Sequence, residues 1–214
     1  VVKVTAVCIR SPKKKSLIVD SSIEIYSDPI DLLEHADIDI VVELIGGVDV
    51  ARQITEKAIA SRKHVVTANK ELIATYGNEL FKLAASNGVM LVFEAAVAGG
   101  IPIIKSLREG LAANKIEWMA GIINGTTNYI LSQMQSKRVS FEKALAGATD
   151  KGYAEQDPTF DIEGIDSAHK LAIMASLAFG IQLQFKKIFC EGITNLQIKD
   201  IDYAEKFGYK IKLL

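Results

Sequence analysis

The feature that most constrains the fold is an alternation of apolar strand-like runs with amphipathic helical runs across residues 1–100. Strand and helix patterns alternate, beginning and ending with a strand, in the order 3–10, 28–37, 38–45, 48–62, 64–69, 71–88 and 89–94. Strands that are apolar on both faces and separated by helices are typical of a parallel sheet covered on both sides. The sequence therefore predicts an α/β fold with a parallel sheet in its first domain, residues 1–100.

A second domain is indicated after Gly99 and Gly100, where the pattern changes. A helix with an early proline spans 101–115, and a strand of alternating character follows at 115–124. The later elements are helices and then a tail that has the pattern of a helix and a strand, near 126–135, 141–149, 166–180 and 201–214. We expect an α+β domain at 101–196 and a returning helix and strand at 197–214.

Composition excludes several classes of protein. The chain has 25 Lys and Arg residues against 26 Asp and Glu, so it lacks the net positive field that non-specific nucleic-acid binding needs. No apolar run approaches the ~20 residues that span a bilayer. Cys8 and Cys190 have neither zinc-site nor disulfide-framework spacing, which favours a reducing compartment. We expect a cytoplasmic protein with no nucleic-acid or membrane partner.

The expected phosphate-binding loop of a dinucleotide-binding sheet is absent. No glycine precedes Gly46, and the G-x-G-x-x-G fingerprint does not occur. Either the domain does not bind a dinucleotide, or the chain begins inside a Rossmann unit, after its first strand, turn and helix. The start at VVKVTAVCIR, without Met and already strand-like, favours the second explanation, a truncated Rossmann-type sheet.

Candidate cofactor residues follow the predicted strands. Arg10 and Lys13 follow the first strand, where a basic side chain would pair with a 2′-phosphate, although a solvated loop is the alternative. The next strand ends in Gly46 and Gly47, which could approach a cofactor or form a plain turn. The strand after it ends in Asn69 and Lys70, where Asn69 could face the cofactor or cap the following helix. Of these residues, Arg10 and Lys13 favour NADP over NAD.

Two further segments have both a functional and a plain structural interpretation. Residues 93–102 are small and could present carbonyl oxygens to a hard cation, or could form a crowded domain junction. Residues 125–128 could direct helix N-terminal amides at an anionic group, or could cap the helix with a hydroxyl.

The richest cluster of ionisable residues lies at 152–170. It contains five closely spaced carboxylates, which either neighbour a cation or belong to a solvated acidic loop: Glu155, Asp157, Asp161, Glu163 and Asp166. Asp166 and Lys170 are four residues apart on one helical face, where a surface ion pair is the default. Lys170 also precedes an apolar run, LAIMASLAF, which favours a general base.

Taken together, VVELIGG, VVTANKELIA, FEAAVAGGIPII, INGTTNYIL and GYAEQDPTFDIEGIDSAHKLAIMA resemble the homoserine dehydrogenase family over residues 39–207. The resemblance implies a Rossmann domain and a catalytic domain that forms a homodimer, with a mixed sheet that includes the strand at 115–124. The family's N-terminal glycine-rich segment and the C-terminal regulatory domain of some members are not part of this chain.

The resemblance also implies roles for individual residues. Lys170 would exchange a proton with the substrate hydroxyl, and Lys70 would hold the reacting oxygen. The expected substrate contacts are Glu155 and Asp161 at the ammonium, Asp166 at the hydroxyl end, and Gly125 and Thr126 along the substrate. A monovalent cation, Na⁺ or K⁺, would be surrounded largely by backbone carbonyls of Glu94, Val97, Gly99 and Ile101.

The expected function is NAD(P)-dependent interconversion of L-homoserine and L-aspartate 4-semialdehyde in threonine and methionine biosynthesis. One alternative is a non-catalytic Rossmann-like binding or oligomerisation protein, but such a module would not require both Lys70 and Lys170. A second is another semialdehyde dehydrogenase, which would need a nucleophilic cysteine. Cys8 and Cys190 lie away from every motif above.

Overall fold

The computed structural model describes residues 2–10, 20–34 and 37–214. The chain divides into two compact units, Val1–Ile101 (unit 1) and Pro102–Leu214 (unit 2). Lys13 lies outside the described residues, so its predicted role stays a prediction. No helix within the described ranges combines the length and apolar character needed to cross a bilayer.

Unit 1 has the α/β fold that the alternating pattern predicts. Its described strands and helices are β1 (Ala6–Cys8), β2 (Glu24–Tyr26), α1 (Pro29–Glu34), β3 (Ile40–Glu43), α2 (Asp49–Ala60), β4 (His64–Thr67), α3 (Lys70–Asn87) and β5 (Leu91–Val92). All the strand pairs of the described residues are parallel. They form two sheets, with β1 beside β2 and with the order β3-β4-β5.

The division into two sheets has a simple topological interpretation. A Rossmann sheet has the strand order 3-2-1-4-5-6. The pair β2-β1 has the neighbours of positions 3-2 in that order, and the trio β3-β4-β5 has those of positions 4-5-6.

The strand β3 departs from its predicted burial on both faces. Val41 and Glu43 are buried, whereas Ile40 and Val42 are 43% and 59% exposed. Alternate side chains of a strand point to opposite faces of its sheet, so the described residues cover only one face of β3. The apolar run had suggested two covered faces because sequence alone does not show which helices pack there.

Unit 2 is helical in its described residues. The helices are α4 (Ile103–Lys105, continued by a wider turn at Ser106–Gly110), α5 (Gly125–Lys137), α6 (Phe141–Asp150), α7 (Thr159–Ile162), α8 (Ile165–Phe179) and α9 (Ile198–Lys206). Their core is formed by α5, α6 and residues that pack on them, including the fully buried Ile130 and Met134.

The strand predicted at 115–124 is not formed among the described residues of the chain. Trp118 and Ile122 in this segment are 76% and 54% exposed. A strand needs a neighbouring backbone to satisfy its ladder of hydrogen bonds, and no described segment supplies one. The alternating pattern therefore indicates a segment that could pair with a neighbouring strand, but no such strand lies beside it among the described residues.

The C-terminal residues belong to unit 2, and their expected return to the first domain stays a prediction. Ile201 of α9 is buried in the core of unit 2, and Leu213 packs against the same cluster. The backbone of Leu213 also exchanges hydrogen bonds with the Asn128 side chain, at 3.0 and 3.2 Å. Residues 209–214 are not paired in a strand. The Asn128 side chain and the apolar packing of Leu213 hold this segment, and no ladder of strand hydrogen bonds is formed.

Candidate active site

Unit 2 contains a partly buried ion pair. Lys170, in the second turn of α8, directs its Nζ at Asp166 Oδ2 and at the carbonyl oxygen of Ile123, both 2.7 Å away. The side chains of Lys170 and Asp166 are 18% and 6% exposed. Because both side chains are largely shielded from water, this is not the solvated surface ion pair that the spacing alone suggests. Removing one partner of such a pair leaves the other charge shielded and uncompensated, which is costly.

Asn124 connects this ion pair to a second carboxylate. Its Nδ2 donates to Asp161 Oδ1 at 2.7 Å and to Asp166 Oδ2 at 2.9 Å. Its Oδ1 caps α5 by accepting from the amide and hydroxyl of Thr127, at 2.9 and 2.7 Å. In the sequence, Asn124 was predicted only as the end of a strand, although an Asn directly before a helix is a recognised capping signal.

The five carboxylates of the acidic segment separate into groups. Asp161 and Asp166 converge on Asn124, as described above. Asp157 accepts from the hydroxyl and amide of Thr159, at 2.6 and 3.1 Å, and these hydrogen bonds lower the pKa of its carboxyl. Glu163 accepts from the Thr194 hydroxyl at 3.0 Å, and Glu155 is exposed on the loop. The structure therefore brings two of the five together.

The start of α5 contacts the acidic loop. Gly125 is the first residue of α5, and the Thr126 hydroxyl donates to the carbonyl of Tyr153 at 2.8 Å. The rings of Tyr129 and Tyr153 are 4.8 Å apart. Since Asn124 is the cap, Thr126 does not have the capping role considered in the sequence analysis, and its hydroxyl anchors the loop that contains Glu155.

In unit 1, a buried carboxylate lies at the carboxyl ends of β3 and β4. Glu43 is 2% exposed and Thr67 is 1% exposed. Glu43 Oε1 accepts from the amides of Ile45 and Gly46, at 2.7 and 3.4 Å, and its Oε2 accepts from the Thr67 hydroxyl at 2.6 Å. The sequence pattern does not reveal the burial of Glu43 and Thr67, because an acid at the end of a strand normally indicates exposure.

Asn69 joins the same network from the start of α3. Its Oδ1 accepts from the Leu72 amide at 3.0 Å, so it caps the helix. Its Nδ2 donates to the carbonyl of Gly47 at 2.6 Å, and its backbone amide donates to Thr67 Oγ1 at 2.9 Å. Asn69 is therefore both a cap and a support for the glycine turn, while Lys70 is the partly buried first residue of α3.

The Gly46–Gly47 turn has the backbone conformation that requires glycine. Both residues have positive φ, +75° and +68°, and no atom lies within 4 Å of a Cβ built at either position. A turn of this kind at the carboxyl ends of parallel strands leaves its backbone open to a ligand, and this edge is where open α/β sheets bind dinucleotides. The residues present fit a dinucleotide at this edge.

The remaining residues predicted to bind the cofactor or a cation differ in how exposed they are. Arg10 is exposed just beyond β1. Glu94 begins a short helical turn, Val97 is buried, Gly99 is exposed, and Ile101 is 62% exposed. Within the described ranges, no group of three or more His, Cys, Asp or Glu side chains could hold a metal ion.

The two cysteines do not have the environment of a catalytic nucleophile. Partial burial raises the pKa of the Cys8 thiol, with a further contribution from Asp28, and raises that of Cys190, with a contribution from Glu163. A thiolate is therefore disfavoured at both positions. This weighs against the cysteine-dependent semialdehyde dehydrogenase considered as an alternative.

Comparison with known proteins identifies the family. A family model described as homoserine dehydrogenase matches residues 102–214, which is more than half of the chain, and one described as the homoserine dehydrogenase NAD-binding domain matches residues 1–94. The chain belongs to the homoserine dehydrogenase family. Both units are therefore matched by models of one family, whose members are NAD(P)-dependent oxidoreductases.

Individual homoserine dehydrogenases are similar over the whole chain. The Pseudomonas aeruginosa enzyme is 54% identical over 213 residues, which are 100% of this chain and 49% of that protein. The crystal structure of a homoserine dehydrogenase from Thiobacillus denitrificans matches with a TM-score of 0.93 and 55% identity, covering 97% of this chain and 48% of that one. This chain thus spans about half the length of the relatives it matches.

A second similar structure contains a cofactor. It is a hyperthermophilic archaeal homoserine dehydrogenase in complex with NADPH, and it matches with a TM-score of 0.74 and 30% identity over 87% of this chain and 57% of that one. The α/β fold class and the family expected from the sequence motifs are confirmed by these comparisons.

Proposed function

We propose that this chain contributes the dinucleotide-binding unit and catalytic residues of an enzyme that interconverts L-homoserine and L-aspartate 4-semialdehyde. The observation that carries the proposal is the buried arrangement of Lys170, Asp166 and Asn124 in a member of this family. A partly buried amine held beside a carboxylate is the kind of group that general acid-base catalysis uses. The reaction belongs to threonine and methionine biosynthesis, and we place it in the cytoplasm.

Lys170 has the geometry of the proton-exchanging group. A lysine ammonium has three N–H donors, and two of them are directed at Asp166 and Ile123. The third direction is left for the substrate hydroxyl, to which the neutral amine would be the base. A dinucleotide held at the edge of unit 1 would supply the acceptor for the hydride that leaves the alcohol carbon. Lys70 would hold the reacting oxygen during this step.

The substrate ammonium requires carboxylates, and we assign Glu155 and Asp161 to it. Asp161 uses Oδ1 to accept from Asn124, so its Oδ2 is the oxygen proposed to face the ammonium. Gly125 and Thr126 would lie along the substrate, because the Thr126 hydroxyl holds the loop from which Glu155 projects.

For the cofactor we propose NADP ahead of NAD, bound at the edge defined by Gly46, Gly47, Asn69 and Lys70. Arg10 and Lys13 would pair with the 2′-phosphate that distinguishes NADP. The NADPH of the archaeal relative is consistent with this preference. The carboxylate of Glu94 and the carbonyls of Val97, Gly99 and Ile101 offer the oxygen ligands that Na⁺ or K⁺ would take.

We further propose a homodimer in which residues 115–124 pair with a neighbouring backbone. The segment has alternating character, and Trp118 and Ile122 are left exposed. Pairing with a second copy would bury this apolar surface and satisfy the ladder groups of the segment.

The test is the Lys170→Ala variant of the full-length protein. We expect kcat for homoserine oxidation to fall by ~10²- to 10⁴-fold, because general acid-base catalysis contributes about that much, with NADP affinity nearly unchanged. Lys151→Ala, which removes an exposed lysine from the same unit, is the matched control. A Lys170→Ala variant that retains more than about a tenth of wild-type kcat would remove Lys170 from the mechanism.

A further inference from the structure

We propose that Asn124 is a positioning residue that sets the relative placement of Asp161, at the substrate ammonium, and Asp166, beside Lys170. This inference rests on the proposed function and adds to it a residue with no assigned role. The single amide of Asn124 touches both carboxylates, which are 37 and 42 residues away along the chain. Asn124 is itself only 4% exposed.

The orientation of the Asn124 amide is determined by its neighbours. Both N–H groups of Nδ2 have carboxylate acceptors, and Oδ1 receives two donors from Thr127. If the amide were flipped, its NH₂ group would face the Thr127 N–H and its oxygen would face two carboxylates. Only one orientation satisfies every partner, so the side chain is held rigidly.

A neutral double donor is suited to this position. Two carboxylates that share a partly buried site repel each other, and a cation placed between them would compete with the substrate ammonium for Asp161. The amide satisfies one oxygen of each carboxylate without adding charge. It therefore leaves Asp161 with its negative charge and a second oxygen for the substrate.

Asn124 also influences the amine. Asp166 Oδ2 accepts from both Asn124 Nδ2 and Lys170 Nζ. The other acceptor of Nζ is the carbonyl of Ile123, the residue directly before Asn124. By capping α5, Asn124 thus fixes the backbone and the carboxylate that together aim Lys170.

The principal test is Asn124→Ser in the full-length protein. Serine is also a good helix cap, so α5 should form while both carboxylates lose their donor. We expect kcat to fall by on the order of 10²-fold, because small displacements of reacting groups have effects of that size. KM for homoserine should rise as well, and KM for the cofactor should stay within about twofold of wild type.

The pH dependence of homoserine oxidation by the Asn124→Asp variant tests more than folding, because a purely structural role of Asn124 would not change it. The variant keeps a capping oxygen, loses both donors and adds a carboxylate to the Asp161 and Asp166 pair, close to Lys170. The added charge favours the protonated amine, so the pH at which homoserine oxidation is half-maximal should move upward. Ser140→Ala removes the cap of α6, away from the cluster, and should leave the pH profile and both KM values unchanged.

A second variant tests the proposal without touching Asn124. Thr127→Val keeps the side-chain volume at a fully buried site and removes one of the two donors to Asn124 Oδ1. A loosened amide predicts a several-fold loss of kcat and a rise in KM for homoserine. Folding of each variant is checked by circular dichroism.

Two outcomes overturn the inference while leaving the proposed function intact. One is that folded Asn124→Ser and Thr127→Val variants retain kcat and KM for homoserine within twofold of wild type while Lys170→Ala is inactive. The other is that the pH profile of Asn124→Asp matches that of wild type. An active Lys170→Ala variant would instead reject the proposed function.

Discussion

The Thr67 hydroxyl donates a 2.6 Å hydrogen bond to Glu43 Oε2, which joins the carboxyl ends of β3 and β4 inside unit 1. Because the other carboxylate oxygen accepts from the Ile45 amide, Glu43 connects the end of one strand to the turn that follows it and to the end of the next strand. The position of the glycine turn therefore depends on a side chain that faces away from the solvent.

Replacing Glu43 should destabilise this turn. Glu43→Ala leaves the Thr67 hydroxyl and the Ile45 amide without their acceptor, and we expect a loss of ~1–3 kcal/mol in the free energy of unfolding. Hydrogen exchange at the amides of Ile45 and Gly46 should accelerate. Glu34→Ala, which removes an exposed partner of Lys57, is the control and should cost less than about 1 kcal/mol. Equal effects of the two substitutions would contradict the structural role of Glu43.

The cofactor preference can be tested at Arg10. A guanidinium pairs bidentately with a 2′-phosphate, whereas an aspartate repels it and accepts from a free ribose 2′-hydroxyl. Arg10→Asp should therefore weaken NADPH binding more than NADH binding, as measured by titration of both cofactors. Lys3→Asp is the matched control, because it makes the same change of charge on the N-terminal side of β1, whereas Arg10 follows the strand. If NADPH and NADH affinities change equally in Arg10→Asp, Arg10 is only a solvated loop charge.

The substrate ammonium should depend on Asp161 and Glu155. Asp161→Asn keeps an acceptor for Asn124 and removes the charge, so KM for homoserine should rise more than ~10-fold, since losing one charge of a desolvated pair costs more than ~1.4 kcal/mol. Glu155→Gln should also raise KM for homoserine. Asp157→Asn, in the same loop but bonded to Thr159, is the matched control. An ammonium role is excluded for either residue whose amide variant behaves like this control.

The contact between α5 and α9 should make stability depend on pH. Hydrogen bonds from Gln135 and then Arg138 lower the pKa of the Glu205 carboxyl below its ordinary value of 4.5. A depressed carboxyl pKa stabilises the folded state above the unfolded-state pKa, and this contribution is lost as pH falls through the folded value. The Tm difference between wild type and Glu205→Gln should therefore stay constant above about pH 5 and narrow below about pH 4.5. Glu191→Gln controls for the loss of one exposed charge, and a difference that persists at low pH would contradict the prediction.

The sequence by itself determined the local elements of this protein. The order of strands and helices from α1 to β5, the caps at Asn69 and Gly88 that bound α3, and the shared face of Asp166 and Lys170 depend on residues close together in the chain. The strand β2 was not predicted from the sequence. Periodicity and capping report such short-range geometry directly. The motifs likewise indicated the family, because each is contiguous.

Only the tertiary structure decided which distant residues meet. Spacing along the chain contains no information on the approach of Asn124 to Asp161 and Asp166, or of Glu43 to Thr67, because the packing of helices and the register of strands bring them together. For the same reason, the alternating pattern at 115–124 could not by itself establish a strand. A helix satisfies its backbone groups within its own segment, whereas a strand requires a neighbour whose position the sequence of the strand does not specify.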